Sequence, residues 1–270
     1  MKRQNRNINI FVPWLVIAFL TSFPPGTIQS DDNDFFALPS PNEILIDSES
    51  NGLVVEITKE NSAVLRTNLK TLAQKNKIEA SFAMGRIFSI AGFSFKKLNN
   101  KVILSLAAKI YKGMSAMELP EKIHVQIMGY YQKMIMNPKW NRSELLLSFT
   151  SARSSLLYLL KDPLKVSPEE RPVVQSYSCA LELGLWFQSM YLALDNLNEN
   201  QVEAFTSIYI DEDVFIYFKK CIGKSLEHEK HPIFVEFNSI ISQCEKHMEA
   251  DSLSYKQCME LKKSLAEVIK

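Results

Sequence analysis

Glycine is scarce in this chain, which has only 8 in 270 residues. All-β sandwiches and doubly wound dinucleotide-binding sheets both need glycine at their turns, so the scarcity argues against those folds. The Gly-rich phosphate loops, Gly-x-Ser-x-Gly and His-Glu-x-x-His are all absent. We therefore expect no cofactor and no catalytic activity. An enzyme stays open only if its catalytic residues are far apart in the sequence and come together in the folded chain.

A surplus of charge is also missing, because 31 Lys and Arg stand against 30 Asp and Glu. Nucleic-acid-binding proteins carry basic surfaces, so we expect no nucleic-acid partner. With 46% hydrophobic residues the chain is too apolar for a disordered protein and long enough to bury a substantial core. The composition indicates a globular domain.

The first thirty residues have the layout of a secretory signal. Lys2, Arg3 and Arg6 precede an apolar run from Ile8 to Phe23, and no acid occurs before Asp31. This run is shorter than the roughly twenty residues of a spanning helix. We predict a signal peptide at 1–30, with an uncleaved anchor as the alternative, a linker at 31–38 and one α-helical domain at 39–270. The protein would be exported, to the periplasm or envelope, and secretion stays open.

Helix-start signals recur along the chain. Ser40-Pro41-Asn42-Glu43 is a capping box, Ser167–Glu170 repeats it, and weaker versions begin at Ser115 and Asn141. The apolar residues that follow have a helical period. We predict an all-α bundle of nine to eleven helices and interpret the apolar stretch 52–57 as a helix tail or loop rather than a strand.

A faint internal repeat aligns residues 79–89 with residues 178–188. Each copy places a glycine in mid-helix, Gly85 or Gly184, and a phenylalanine three residues later, Phe88 or Phe187. Because a mid-helix glycine costs roughly 1 kcal/mol relative to alanine, a close helix crossing is expected at each. The repeat predicts two duplicated helical-hairpin modules around a pseudo-two-fold; chance similarity of two apolar helices is the alternative.

The stretch Leu38–Ile44, followed by a helix of the type Ala80…Met84-Gly85, resembles a group of exported helical proteins of Bacteroidetes-type bacteria. Members of that group share a signal peptide, a Pro-Ser-Pro-x-Glu helix start and a Gly-centred helix. The resemblance implies export and an all-α fold. It implies no active site.

Two charges interrupt the most apolar helices. Arg86 follows Gly85, and Glu182 precedes Gly184. They are candidate ligand-binding residues of a central pocket, and an ion pair or rim position is the alternative. If both are buried, we expect them to pair with each other, because an unpaired buried charge is costly.

All four cysteines lie between residues 179 and 258. If the last two helices form an antiparallel hairpin turning near residue 250, Cys244 and Cys258 are equally far from the turn, so we predict a disulfide between them. Cys179 and Cys221 could also pair, although Cys179 lies in an apolar helix and fits a buried thiol equally well.

The C-terminal region also offers candidate zinc ligands: His228, His231, His247 and Cys221. Their spacing is unlike that of common zinc motifs, so the alternative is a set of exposed polar side chains. Aromatic and methionine residues follow helical spacing, which is typical of a core or of a peptide-binding groove.

We expect an exported, non-catalytic helical domain that binds a protein or peptide. A small-molecule- or metal-binding bundle is the alternative. Membrane contact is expected only through the N-terminal segment, if that segment is uncleaved.

Overall fold

The computed structural model describes residues 44, 50–53, 57–58, 61–94, 98–137, 139–162, 164–248 and 253–269. The predicted signal segment 1–30, the linker 31–38 and the first capping box lie outside these residues, as does half of the stretch 52–57. Within the described ranges, no helix combines the length and apolarity that a membrane span requires.

Ten α-helices and two 3₁₀ helices make up the regular structure of the described residues, and those residues contain no strand. This confirms the all-α prediction and its helix number. The α-helices are α1 (Leu69–Lys75), α2 (Lys77–Ser94), α3 (Asn100–Ser115), α4 (Glu121–Met136), α5 (Arg142–Lys161), α6 (Arg171–Asp195), α7 (Val202–Tyr209), α8 (Glu212–His228), α9 (Pro232–Met248) and α10 (Tyr255–Ile269). The 3₁₀ helices are Asn61–Arg66 and Glu199–Gln201.

Two of the predicted helix starts are formed, and one is wrong. The Asn141 side chain accepts from the Glu144 amide at 2.9 Å and caps α5. Ser167 and Glu170 exchange the hydrogen bonds of a capping box one turn before α6. Ser115, by contrast, ends α3: its hydroxyl donates to the Tyr111 carbonyl at 3.0 Å, and α4 begins only at Glu121.

Helices α2 and α6 form the centre of the bundle and are buried on nearly every side. The side chains of Ser89 and Ser189 share a hydrogen bond of 2.8 Å, and Gly85 faces the backbone between Leu181 and Leu185. Because residue numbers increase together along both helices, they run parallel. Few side chains separate them, so their backbones approach closely.

The crossing of α2 and α6 is symmetric. A methyl group at Gly85 would overlap the Leu181 carbonyl oxygen, and one at Gly184 would overlap the Phe82 carbonyl oxygen. Leu181 and Phe82 occupy equivalent positions in the aligned repeat, so each helix presents the same backbone atoms to the glycine of the other. The close crossing predicted at both glycines is confirmed.

Outside the crossing the two equivalent phenylalanines have different neighbours. Phe88 of α2 packs edge-on against Phe149 of α5, with ring centroids 5.9 Å apart. The equivalent Phe187 of α6 packs against Phe218 of α8 at 5.7 Å and Phe237 of α9 at 4.6 Å. Equivalent phenylalanines therefore pack against different helices, Phe88 against α5 and Phe187 against α8 and α9.

Candidate functional site

A buried carboxylate lies where α5, α6 and α8 meet. Glu182 of α6 is 2% exposed, and its Oε1 lies 2.6 Å from the Lys161 Nζ at the end of α5. The Tyr217 hydroxyl of α8 donates a short hydrogen bond to the other carboxylate oxygen. The Lys161 ammonium also lies 4.7 Å from the centroid of the Tyr217 ring. Glu182 of α6, Lys161 of α5 and Tyr217 of α8 thus form one polar cluster.

Burial governs the protonation of this cluster. It raises the pKa of Glu182, while the nearby Lys161 ammonium and the hydrogen bonds from Lys161 and Tyr217 act in the opposite direction. Burial and the Glu182 carboxylate also raise the pKa of Tyr217. The phenol therefore keeps its proton and remains the donor to Glu182.

Two thiols adjoin the carboxylate. Cys179 lies one turn before Glu182 on α6, Cys221 lies one turn after Tyr217 on α8, and the two cysteines approach to 2.5 Å without forming a bond. Cys179 is fully buried, whereas Cys221 is half-buried. Burial, followed by the neighbouring Cys179 and Glu182, raises the pKa of Cys221. Two adjacent contacts, one between the thiols and one between Glu182 and Tyr217, therefore join α6 to α8.

Arg86 and Glu182, expected to pair only if both were buried, make separate contacts, and Arg86 is only partly buried. Arg86 donates from its Nε to the Gln188 Oε1 at 2.9 Å, and its guanidinium lies 5.9 Å from the centroid of the Phe82 ring. Burial lowers its pKa to about 10. Because α2 and α6 run parallel, Arg86 lies beside Gln188, while Glu182 contacts α5 and α8.

The structure does not assemble the predicted zinc ligands. His228 is exposed at the end of α8, and His231 lies 2.8 Å from the Asn76 side chain and 3.7 Å from Glu79. Cys221 contacts Cys179 instead, and the side chain of His247 lies outside the described residues. Across the described ranges, no three His, Cys, Asp or Glu side chains converge on a metal-sized site.

The predicted Cys244–Cys258 disulfide is not formed. Both thiols are free and buried where α9 packs against α10, the hairpin that the prediction required. Burial raises the pKa of Cys244 to about 12 and that of Cys258 to about 11. A cavity of about 200 Å³ lies beside them, lined by Gln243, Cys244, Lys246, Leu253, Gln257, Glu260 and Leu261. Neither Arg86 nor Glu182 lines it.

A second feature lies on the outside of the bundle. Helix α4 exposes Val125, Gly129, Gln132 and Met136, and α5 exposes Leu147, Ser151, Ser154 and Tyr158. In each helix these residues have the spacing i, i+4, i+7, i+11, which places them on one face, away from the core. Val125, Met136 and Leu147 are 65%, 72% and 69% exposed. We call these eight residues the α4–α5 face.

The α4–α5 face is uncharged, but basic residues flank it. Lys122, Lys133 and Lys139 are exposed beside it. Between residues 98 and 165, ten Lys and Arg stand against four Asp and Glu, although the whole chain is nearly neutral. The Trp140 indole donates to the Met134 carbonyl at 3.0 Å and fixes the corner between the two helices. The face therefore carries four exposed apolar side chains among small and polar ones, and its border is mainly basic, with Glu121 and Glu144 also exposed there.

The sequence singles out Glu182 as a charge within an apolar helix, but it does not identify the partners of Glu182. A carboxylate within an apolar helix signals that a cation or donor must be nearby. Nothing in the sequence indicates which of the many lysines and tyrosines that partner is, because Lys161 and Tyr217 belong to other helices. The α4–α5 face could have been found from Val125, Leu147 and Tyr158, which fall opposite the apolar stripe of their own helices.

Comparison with known proteins identifies no related molecule: no family model, no curated protein and no solved structure matches the chain.

Proposed function

We propose that this protein is an exported, non-catalytic interaction module whose α4–α5 face binds an acidic amphipathic segment of a protein partner. The observation that carries the proposal is the exposure of Val125, Met136 and Leu147 on the outer sides of two helices that pack against each other. Exposed apolar side chains are costly in water, and their concentration on neighbouring helices favours a binding surface.

The charge around the face selects the kind of partner. Lys122 and Lys133 follow the apolar row of α4 along one side, so carboxylates flanking an apolar stripe would meet them. A helix with apolar residues at i, i+4, i+7 and i+11 and acidic residues beside them matches both features. Export is supported by the basic start and short apolar run of the N-terminal sequence.

A direct binding measurement tests the docking surface. The probe is a fluorescent acidic helical peptide with leucines at i, i+4, i+7 and i+11, titrated with the full-length protein and followed by polarisation. We expect binding that weakens with salt, because charges border the face. A peptide with the same composition in scrambled order, and one with lysine in place of each acid, should bind at least tenfold more weakly.

Matched variants locate the binding surface. Val125→Glu should weaken binding of the acidic peptide at least tenfold, because it places a carboxylate among the apolar contacts. Val235→Glu on α9 is the control, since Val235 is 58% exposed and lies outside the face. Equal affinities for the two variants, or a face that is covered by self-association in sedimentation measurements, would contradict the proposal.

A further inference from the structure

The two thiols beside Glu182 are placed for a reaction with each other. Cys179 and Cys221 approach to 2.5 Å, closer than unbonded sulfur atoms normally rest, and lie on two helices that pack against each other. Glu182 and Tyr217 form the adjacent contact between the same helices. The Glu182–Tyr217 contact therefore already holds the backbones of α6 and α8 together next to the thiols.

We propose that Cys179 and Cys221 are a redox site that forms a disulfide on exchange with an organic disulfide, and that the bond fastens α8 to α6. The proposal is independent of the α4–α5 face. It selects a different pair from the one favoured by sequence spacing, because the relevant contact joins the middle of α6 to α8 rather than the two last helices.

The difference in exposure gives the reaction an order. The half-buried Cys221 attacks one sulfur of the organic disulfide as a thiolate, the disulfide bond breaks, and one thiolate leaves. Cys179 then attacks the Cys221 sulfur of the mixed disulfide and expels the second thiolate. The two leaving thiolates take up the two protons that the cysteines lose. The cysteines are oxidised, and the organic disulfide is reduced to two thiols.

The surroundings set the speed of this exchange. The thiolate is the nucleophile, and burial raises the pKa of Cys221, so the thiolate is scarce at neutral pH. We expect the rate of oxidation to increase with pH through the alkaline range. The Lys161 ammonium lowers the pKa of Cys221 and so acts against burial, in favour of the thiolate.

The bond would close a loop that contains α7 and most of α8. The chain between Cys179 and Cys221 runs through the larger part of α6, the 3₁₀ helix Glu199–Gln201 and α7 before it returns along α8. Cross-linking such a loop restricts the unfolded chain. The oxidised protein should therefore melt at a higher temperature than the reduced protein, and the difference should vanish in Cys179→Ala.

Peptide mapping of the unaltered full chain decides between the cysteine pairs. The reduced, folded protein is treated with glutathione disulfide, its remaining thiols are alkylated, and it is digested without reductant. We expect an intact mass lower by two hydrogen atoms before alkylation, two alkylated cysteines, and one linked peptide that joins Cys179 to Cys221. The double variant Cys244→Ser/Cys258→Ser is the control and should react identically.

Three results would overturn the proposal. A linked peptide joining Cys244 to Cys258 would assign the redox site to the α9–α10 hairpin. A lasting glutathione adduct on Cys221 would show that Cys179 cannot reach it. Four alkylated cysteines after treatment in the folded state would show that the pair is closed to exchange.

Discussion

At the scale of single residues, Glu182 shows how a charge is accommodated in an apolar helix. Its carboxylate is buried, but Lys161 and Tyr217 supply a cation and a donor at close range. Breaking such a pair from one side leaves a buried charge without compensation, at a cost of about 3–5 kcal/mol. Most of the stabilisation at this site thus depends on a lysine that is only 18% exposed.

Lys161→Met should destabilise the protein by about 3 kcal/mol at pH 7. The loss should shrink as the pH falls, because the pKa of Glu182 is already raised by burial and rises further without the lysine. A carboxyl group whose pKa is raised in the folded state favours folding below its unfolded pKa, and that contribution is lost as the pH rises through the folded pKa. Chemical denaturation at several pH values between 4 and 7 measures the trend.

The control for this prediction is Lys219→Met, which breaks the more exposed pair with Glu245 and should cost only about 0–1 kcal/mol at any of these pH values. Adding Glu182→Gln to Lys161→Met should recover part of the stability, because no charge is then left buried. A loss for Lys161→Met that is the same at pH 4 and pH 7 would mean that packing, not charge, is responsible.

At the scale of the helices, the crossing of α2 and α6 explains two glycines that cost helix stability locally. The backbone of each helix occupies the space where the other would need a Cβ. The aligned residues 79–89 and 178–188 predicted this close approach, because both copies accept the same unfavourable residue at the same position. The sequence did not predict the direction of the helices, since a glycine permits a close crossing at many angles.

Gly85→Ala and Gly184→Ala should each destabilise the protein by about 1–3 kcal/mol, because the added methyl group meets backbone rather than a movable side chain. Gly129→Ala is the matched control. Gly129 is also in mid-helix, but it is exposed, and its Cβ would meet nothing within 4 Å, so the substitution should stabilise by about 0.5–1 kcal/mol. Thermal and denaturant unfolding measure all three variants.

The double variant Gly85→Ala/Gly184→Ala adds a sharper test. Both methyl groups push the same two helices apart, so the combined loss should be smaller than the sum of the single losses. Strict additivity would indicate that the two glycines lie at separate contacts.

At the scale of the whole molecule, the all-α class and the number of helices could be predicted from the sequence, and the arrangement of the helices could not. Helical periodicity and capping residues such as Asn141 are local patterns, so a single sequence is enough to recognise them. The contacts of Arg86 and Cys221 are set by which helices become neighbours. Cys244 and Cys258 lie at equal distances from a turn and are in the same hairpin, but their thiols are free. The close contact of 2.5 Å is between Cys179 and Cys221.

The parallel crossing of α2 and α6 has a consequence for how the chain can be divided. A cut in the loop between α5 and α6 would leave each half with one glycine helix whose closest packing surface belongs to the other half. Neither half could cover that helix alone, so the two fragments should fold only when mixed, and a fragment carrying Gly85→Ala or Gly184→Ala should fail to rescue its counterpart. We therefore expect each half of the polypeptide to need the central helix of the other half in order to fold.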